Sequence, residues 1–193
     1  MTPRRRAGAK PRALLLTPGA GADATHHTLV AVEQAVAPLP AARIDFPYRR
    51  AGKKAPDRAP KAVACIREEA SALCDRIDAP PESLVLGGRS YGGRMCSLAV
   101  AEGLPAAGLV LLSYPLHPPG KPEKLRTEHF GDLSVPCLFV SGDRDPFGSP
   151  DEFAAAVKLI KGPVAQVWVT GGHDPRNQDA AVATAVKDWI GSL

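Results

Sequence analysis

A serine on a glycine-flanked turn is the first residue whose surroundings point to chemistry. Ser90 is the centre of the motif G-R-S-Y-G, which follows an apolar run at 84–86 and precedes an apolar-periodic stretch that begins at Met95. A strand that turns sharply into a helix requires both glycines, because a Cβ at either position would collide across the turn. The turn exposes the hydroxyl near the helix N-terminus, where backbone N–H groups favour developing negative charge. The pattern predicts a nucleophile at Ser90; the plainer interpretation is a serine that only caps the helix.

A serine hydroxyl is a weak nucleophile, so this hypothesis also requires a histidine base and a carboxylate that orients it. The chain has five histidines, two of which precede Ser90. His173 directly follows the last predicted strand in the sequence G-G-H-D, and it fits the order serine, acid, histidine that this kind of turn uses. We therefore favour His173 over His117 as the base. The neighbouring Asp174 is expected to face away from the site or to cap the following helix.

The acid is expected in the loop after the fifth predicted strand, which reads G-D-R-D-P-F-G and contains Asp143 and Asp145. A carboxylate that must reach the next loop is better placed after the turn has reversed, which favours Asp145. Asp143 would then accept backbone N–H groups and hold the turn, as aspartates often do in such positions. Spacing alone leaves both residues open as the acid.

An oxyanion hole requires two N–H donors that point to the place where negative charge develops. The first predicted donor is the backbone N–H of Tyr91, the residue after the proposed nucleophile. The second is the N–H of Ala20, whose flanking glycines in T-P-G-A-G would let the backbone turn inward. A phosphate-binding loop is disfavoured here, because the third glycine and the G-K-[ST] ending are missing.

Short apolar runs alternate with helix-like stretches along the chain. Nearly continuous apolar runs are typical of strands that are covered on both faces. The pattern predicts an α/β fold with a minimal, mostly parallel six-stranded sheet, helices on both faces and no large cap domain, with functional groups at the carboxyl ends of the strands. The predicted strands are 13–17, 43–46, 83–87, 108–113, 136–141 and 165–170. The predicted helices are 26–37, 58–78 with Asp57 as N-cap, 149–161 with a capping box formed by Ser149 and Glu152, and 177–190.

Length and composition indicate one soluble domain. The chain has 193 residues, of which 45% are hydrophobic and 23% charged. We expect a basic, flexible arm at 1–12 and a single domain at 13–193. Four cysteines without a C-x-x-C pair, and the lack of an apolar leader after the basic start, favour the cytoplasm. No apolar run approaches the roughly 20 residues that a membrane span requires, so no membrane association is expected.

Positive charge is concentrated in the first part of the chain. Residues 1–60 contain 11 Lys and Arg against 4 Asp and Glu, whereas the remainder contains 13 against 16. A nucleic-acid site would need aromatic side chains among these charges, and only Tyr48 is close, so no nucleic-acid partner is expected. Arg49, Arg50, Arg89 and His117 are candidate substrate-lining residues that would attract an anionic acyl substrate. Their plainer interpretation is a solvated rim or a set of loop-anchoring hydrogen bonds.

The order of strands, the G-R-S-Y-G turn and the loops G-D-R-D-P-F-G and G-G-H-D resemble the alpha/beta-hydrolase superfamily, in its small dienelactone-hydrolase-like branch. The stretches 87–94, 113–122 and 145–148 resemble a family of testis-expressed hydrolase-like proteins and their bacterial relatives. The resemblance covers nearly the whole chain. One departure is Pro18, which stands where many such hydrolases have a histidine in the first loop.

The resemblance implies a serine hydrolase of the carboxylesterase or thioesterase type, with Ser90, Asp145 and His173 as the triad and Ala20 and Tyr91 at the oxyanion hole. It implies a small-molecule acyl substrate and neither a metal nor an organic cofactor. Some larger relatives are thought to act as scaffolds, and a fold alone does not establish activity. The alternative hypothesis is therefore a non-catalytic, hydrolase-like binding module.

Overall fold

The sheet places the ends of six strands side by side. The structure, a computed structural model, describes residues 9–193. The strands run parallel throughout in the order β2-β1-β3-β4-β5-β6. They are β1 Ala13–Thr17, β2 Ala41–Arg43, β3 Leu84–Arg89, β4 Gly108–Leu112, β5 Cys137–Gly142 and β6 Val164–Val169. The predicted α/β fold and its six strands are confirmed, and the carboxyl ends of all six strands lie at one edge.

Helices cover both faces of this sheet. They are α1 His27–Ala35, α2 Pro47–Arg50, α3 Ala59–Ile77, α4 Tyr91–Ala101, α5 Pro150–Ala156 and α6 Asp179–Gly191. Each face of the sheet has its own hydrophobic core, and successive residues of β1 point to opposite cores. Leu15 packs with α3 and α4, whereas Leu14 and Leu16 pack with α1 and α6. Within residues 9–193, no helix is both long enough and apolar enough to span a membrane. All four cysteines are buried free thiols.

The predicted basic arm lies mostly outside the described residues. Of its last residues, Arg12 is held by two hydrogen bonds: its backbone N–H donates to Ser83 O at 2.8 Å and its Nη1 to Asp78 O at 2.9 Å. The division of the chain into an arm at 1–12 and a domain at 13–193 stays a prediction.

The second strand differs from its predicted position. The apolar run 43–46 predicts a strand, but β2 is Ala41–Arg43, and Ile44 adds only a hydrogen bond from its N–H to Leu16 O. Phe46 is fully buried and stands at the N-cap of α2, because Pro47 starts that helix. Burial in this run therefore comes from packing around α2, a cause that an apolar pattern does not distinguish from strand pairing.

Two predicted helix starts have different outcomes. The capping box of α5 is confirmed: Ser149 Oγ accepts the N–H of Glu152 and the Glu152 carboxylate accepts the N–H of Ser149, although the α-helix ends at Ala156 and continues as a 3₁₀ turn. The prediction that Asp57 caps α3 is wrong. Arg58 occupies the N-cap without a side-chain hydrogen bond, and the Asp57 carboxylate instead accepts the N–H of Tyr48 at 2.9 Å.

A buried histidine makes the fold sensitive to acid. His129 is 6% exposed; its Nε2 lies 2.7 Å from Ser97 Oγ, and its Nδ1 has no hydrogen-bond partner among the described residues. Burial lowers the pKa of His129 to about 4, against about 6.5 in an unfolded chain. The folded state therefore binds fewer protons, so its stability is complete above pH 6.5 and falls as the pH drops towards 4.

We expect the free energy of unfolding of the unmodified protein to fall by roughly 3 kcal/mol more than that of His129→Gln between pH 7 and pH 4, since each pKa unit corresponds to about 1.4 kcal/mol. Urea unfolding at intervals of half a pH unit measures the difference. Parallel pH profiles for the two proteins would contradict the assignment of this acid sensitivity to His129.

Candidate active site

Ser90 stands where β3 turns into α4. Its backbone has φ +51° and ψ −116°, a conformation that L-residues rarely adopt, and its N–H donates to Leu112 O at 2.8 Å. The side chain makes no capping hydrogen bond to α4, although the residue occupies the N-cap position. Its Oγ instead lies 2.8 Å from Nε2 of His173. The interpretation of Ser90 as a simple helix cap is therefore wrong.

The glycines on either side of Ser90 are required by close backbone packing. A Cβ at Gly88 would lie 2.7 Å from the backbone of Gly92 and Gly93. A Cβ at Gly92 would lie 2.5 Å from the carbonyl oxygen of Pro18, in the loop that carries Ala20, the second predicted oxyanion donor. The turn therefore packs directly against the loop after β1, which brings Ala20 and Tyr91 to the same end of the sheet.

His173 lies between the serine and an aspartate. Its Nδ1 is 2.8 Å from Oδ2 and 3.1 Å from Oδ1 of Asp145, whose side chain is fully buried. Because an ionised carboxylate only accepts hydrogen bonds, Nδ1 carries the proton and Nε2 presents its lone pair to Ser90. The ring of Phe147 packs at a centroid distance of 4.1 Å from that of His173, and its N–H donates to Asp145 Oδ1. Asp145 and Phe147, which both contact His173, are thus also bound to each other.

Asp143, the other candidate acid, makes different contacts. Its Oδ1 accepts the N–H of Gly171 at 2.9 Å, and its own N–H donates to Val169 O at 2.8 Å. Its side chain is 45% exposed, whereas that of Asp145 is fully buried. The structure brings Asp145 to His173 and uses Asp143 to tie the acid loop to the loop that carries the histidine.

The two predicted oxyanion donors are the backbone N–H groups of Ala20 and Tyr91. Neither the N–H of Ala20 nor that of Tyr91 has an acceptor within the described part of the chain. Tyr91 is the first residue of α4, so its N–H is one of the four that a helix leaves unpaired. The N-terminus of α4 adds its partial positive charge beside Ser90.

Arg89 connects the turn that carries Ser90 to the loop that carries His173. Its side chain is 10% exposed, and its Nη2 donates to His173 O and to Asp174 Oδ1, both at 2.9 Å. Asp174 therefore does not cap α6, whose N-cap is Gln178, and its carboxylate pairs with Arg89 instead. No local pattern marks this pair, because the residues lie 85 positions apart and meet only when the sheet is formed.

The other three candidate substrate-lining residues contact protein groups. His117 is buried, with Nδ1 2.8 Å from Pro118 O and Nε2 3.2 Å from Glu152 Oε1. Arg49 lies 3.5 Å from Asp23, and Arg50 pairs with Glu69. None of these contacts reaches Ser90 or His173, so a role of these residues in substrate binding stays a prediction.

One cluster offers three potential metal ligands. Ligand atoms of His26, His27 and Asp174 all lie within 4.8 Å of one another. However, His26 Nδ1 accepts the N–H of Thr28 at 3.3 Å, so in the neutral ring Nε2 carries the proton and cannot ligate. Burial, with the guanidinium of Arg89 nearby, lowers the pKa of His26 and keeps the ring neutral. Arg89 also occupies Asp174 Oδ1, and the contacts fit an ion-paired cluster better than a metal site.

Known proteins share this architecture. The chain has a TM-score of 0.76 and 18% identity to Est1E from Butyrivibrio proteoclasticus, over 95% of this chain and 88% of that one. Dienelactone hydrolase from Anabaena variabilis has a TM-score of 0.74 and 16% identity, over 96% of this chain and 88% of that one. A putative hydrolase of the alpha/beta superfamily from Xanthomonas campestris has a TM-score of 0.69 and 19% identity, over 94% of this chain and 99% of that one. At these identities the likeness concerns the fold.

The sequence itself carries the family assignment. The motif order, the parallel sheet and the position of the serine turn at the end of β3 agree with the expected resemblance, which is confirmed. The sequence model of the alpha/beta hydrolase domain matches residues 10–190, nearly the whole chain. The protein therefore belongs to the alpha/beta hydrolase domain family.

Proposed function

We propose that the protein is a serine hydrolase that cleaves an ester or thioester of a small molecule through an acyl-enzyme. The observation that carries the proposal is the continuous contact from Ser90 Oγ to His173 Nε2 and from His173 Nδ1 to Asp145 Oδ2, each 2.8 Å long. Family membership supports a hydrolase. Acyl transfer requires a serine that is activated in this way by a histidine and a carboxylate.

In the first step, Ser90 Oγ attacks the carbonyl carbon while its proton passes to His173 Nε2. The carbonyl oxygen becomes an oxyanion, to which the N–H groups of Ala20 and Tyr91 donate. The buried carboxylate of Asp145 stabilises the positive charge on the imidazole. When the intermediate collapses, the bond to the leaving alcohol or thiol breaks, and the proton on Nε2 passes to that group.

In the second step, water takes the place of the leaving group. His173 Nε2 accepts a proton from the water as its oxygen attacks the acyl carbon, and the same two N–H groups stabilise the second oxyanion. Collapse breaks the bond to Ser90 Oγ, which recovers its proton from Nε2, and releases the acid. No other group is needed for the balance of protons and electrons.

A fluorophosphonate probe tests the proposal directly. It reacts with activated serines, so we expect one adduct on the intact protein, located at Ser90 by peptide mass spectrometry and missing from Ser90→Ala. Ser97→Ala is a matched control, because Ser97 Oγ also lies 2.7 Å from a histidine nitrogen. Ser97 is fully buried, and no carboxylate contacts the second ring nitrogen of its partner, His129. We therefore expect Ser97→Ala to be labelled like the unmodified protein.

No adduct on the folded protein, even at high probe concentration, would overturn the acyl-enzyme proposal. That result would favour the non-catalytic binding module. Labelling that persists in Ser90→Ala would show that another residue is the nucleophile. Substrate screening of matched esters and thioesters, with and without an acidic group on the acyl chain, then tests whether the substrate is anionic.

A further inference from the structure

The segment between β2 and α3 contacts both residues of the proposed oxyanion hole. Tyr48, in α2, donates from its Oη to the carbonyl oxygen of Ala20 at 2.8 Å. Tyr91 donates from its Oη to the carbonyl oxygen of Asp57 at 2.6 Å. The carboxylate of Asp57 in turn accepts the N–H of Tyr48 at 2.9 Å. Three hydrogen bonds therefore connect Ala20 to Tyr91 through this one segment.

The loop around Ala20 leaves one orientation open. The hydrogen bond from Ala22 N–H to Gly19 O at 3.1 Å closes a four-residue turn with Ala20 and Gly21 at its central positions. Because glycine at the second central position allows both orientations of the peptide between Ala20 and Gly21, a contact from outside the turn decides which one Ala20 adopts. A Cβ at Gly21 would meet nothing within 4 Å, so packing at Gly21 does not decide it. The hydroxyl of Tyr48 supplies such a contact, on the carbonyl of Ala20.

Packing holds the two tyrosine rings in place. Tyr48 is 1% exposed; its ring lies 6.3 Å from that of Phe46 and 6.4 Å from that of Tyr91, centroid to centroid. Phe46 and Tyr91 meet edge to face at 5.2 Å. Burial raises the pKa of both hydroxyls above the usual value of a tyrosine, so both stay protonated and donate. The Tyr48 hydroxyl is thus a fixed donor.

We propose that Tyr48 is a positioning residue of the oxyanion hole: by holding the carbonyl of Ala20, it directs the Ala20 N–H to the place where the substrate oxyanion forms. The assignment rests on the proposed function. Tyr48 itself need not touch the substrate. Its loss should weaken binding of the transition state and leave binding of the substrate unchanged, because the oxygen gains its negative charge only in the transition state.

The test removes one oxygen atom from each of two buried tyrosines. Tyr48→Phe deletes the hydrogen bond to Ala20 and leaves the ring in place. Tyr114→Phe is the matched control, because Tyr114 is fully buried and its Oη donates to a backbone carbonyl, Arg126 O, at 2.8 Å. Rates with p-nitrophenyl acetate give kcat and KM. Inhibition by a trifluoromethyl ketone, whose serine adduct carries an oxyanion, measures the affinity of the hole.

For Tyr48→Phe we expect kcat to fall about tenfold, less than the hundredfold or more that follows loss of a donor itself. KM should stay within about twofold, and the inhibition constant of the ketone should rise by the same factor as kcat falls. Tyr114→Phe should lose similar stability in urea and keep kcat.

Equal kcat values in the unmodified protein and Tyr48→Phe, or equal losses in both variants, would overturn the positioning role alone. A protein that neither reacts with the fluorophosphonate probe nor turns over the ester would overturn the proposed function as well.

Discussion

Replacement of Asp145 by asparagine is expected to lower kcat by about four orders of magnitude, whereas the same change at Asp143 should lower it less than threefold. The two residues belong to one loop and differ by two positions. Only the first contacts His173, and triad acids in serine hydrolases show losses of this size when they become amides.

The large loss has a specific cause at Asp145. Its Oδ1 accepts the N–H of Phe147 at 2.9 Å, so in the asparagine variant the amide oxygen keeps this position. The amide nitrogen then replaces Oδ2, 2.8 Å from His173 Nδ1. Because that nitrogen donates hydrogen bonds, Nδ1 must accept and the proton moves to Nε2. His173 then presents N–H to Ser90 and cannot remove the proton of the hydroxyl.

At Asp143 the amide is nearly equivalent to the carboxylate. The side chain accepts one hydrogen bond, from Gly171 N–H, and an asparagine oxygen accepts it equally well. Its ion pair with Arg144 is long, at 3.6 Å, and exposed, so it contributes little. Steady-state kinetics of both variants with p-nitrophenyl acetate measure the contrast. A larger loss at Asp143 than at Asp145 would exchange the roles of the two residues.

The features that could be predicted from the sequence are those that a short segment determines alone. The turn at Ser90 is an example, because Gly88 and Gly92 are required within four residues of each other for a backbone reason. The capping box at Ser149 and Glu152 is another. The parallel sheet follows from the alternation of apolar runs with amphipathic stretches, since strands covered on both faces need helices between them.

Contacts between distant segments were not predictable in the same way. The pair of Arg89 with Asp174 and the bond from Tyr48 to Ala20 depend on how three loops meet at the edge of the sheet. Asp57 shows the limit clearly. The sequence predicts it as the N-cap of α3, but that position belongs to Arg58, and the carboxylate of Asp57 accepts the N–H of Tyr48 instead. Local propensity allows either partner, and the packing of α2 decides between them.

The choice between Asp143 and Asp145 belongs to the same class. Both aspartates fit the chain order, and both accept backbone N–H groups. What separates them is burial, since the side chain of Asp145 is fully enclosed and that of Asp143 is 45% exposed. Burial depends on the loop after β6. This loop covers the carboxylate of Asp145, and its Gly171 N–H is bound by the carboxylate of Asp143.

A methyl group added at Gly92 is expected to destabilise the protein by about 4 kcal/mol or more, or to prevent soluble expression. Gly92 is the second residue of α4, where alanine would ordinarily gain about 1 kcal/mol over glycine. Here the new Cβ would lie 2.5 Å from Pro18 O and 2.7 Å from Thr17 O and would also contact Thr17 Oγ1. Relief requires the end of β1 to move away from α4, because backbone atoms cannot rotate aside.

Gly191→Ala separates this clash from helix propensity. Gly191 is the last residue of α6, and a Cβ there would meet nothing within 4 Å. The same substitution should therefore leave the free energy of unfolding unchanged or raise it by up to about 1 kcal/mol. Urea unfolding of the two variants beside the unmodified protein makes the comparison. If Gly92→Ala unfolds at the same urea concentration as Gly191→Ala, the contact of the serine turn with the loop after β1 is looser than described. The close approach that brings Ala20 and Tyr91 together would then need another cause.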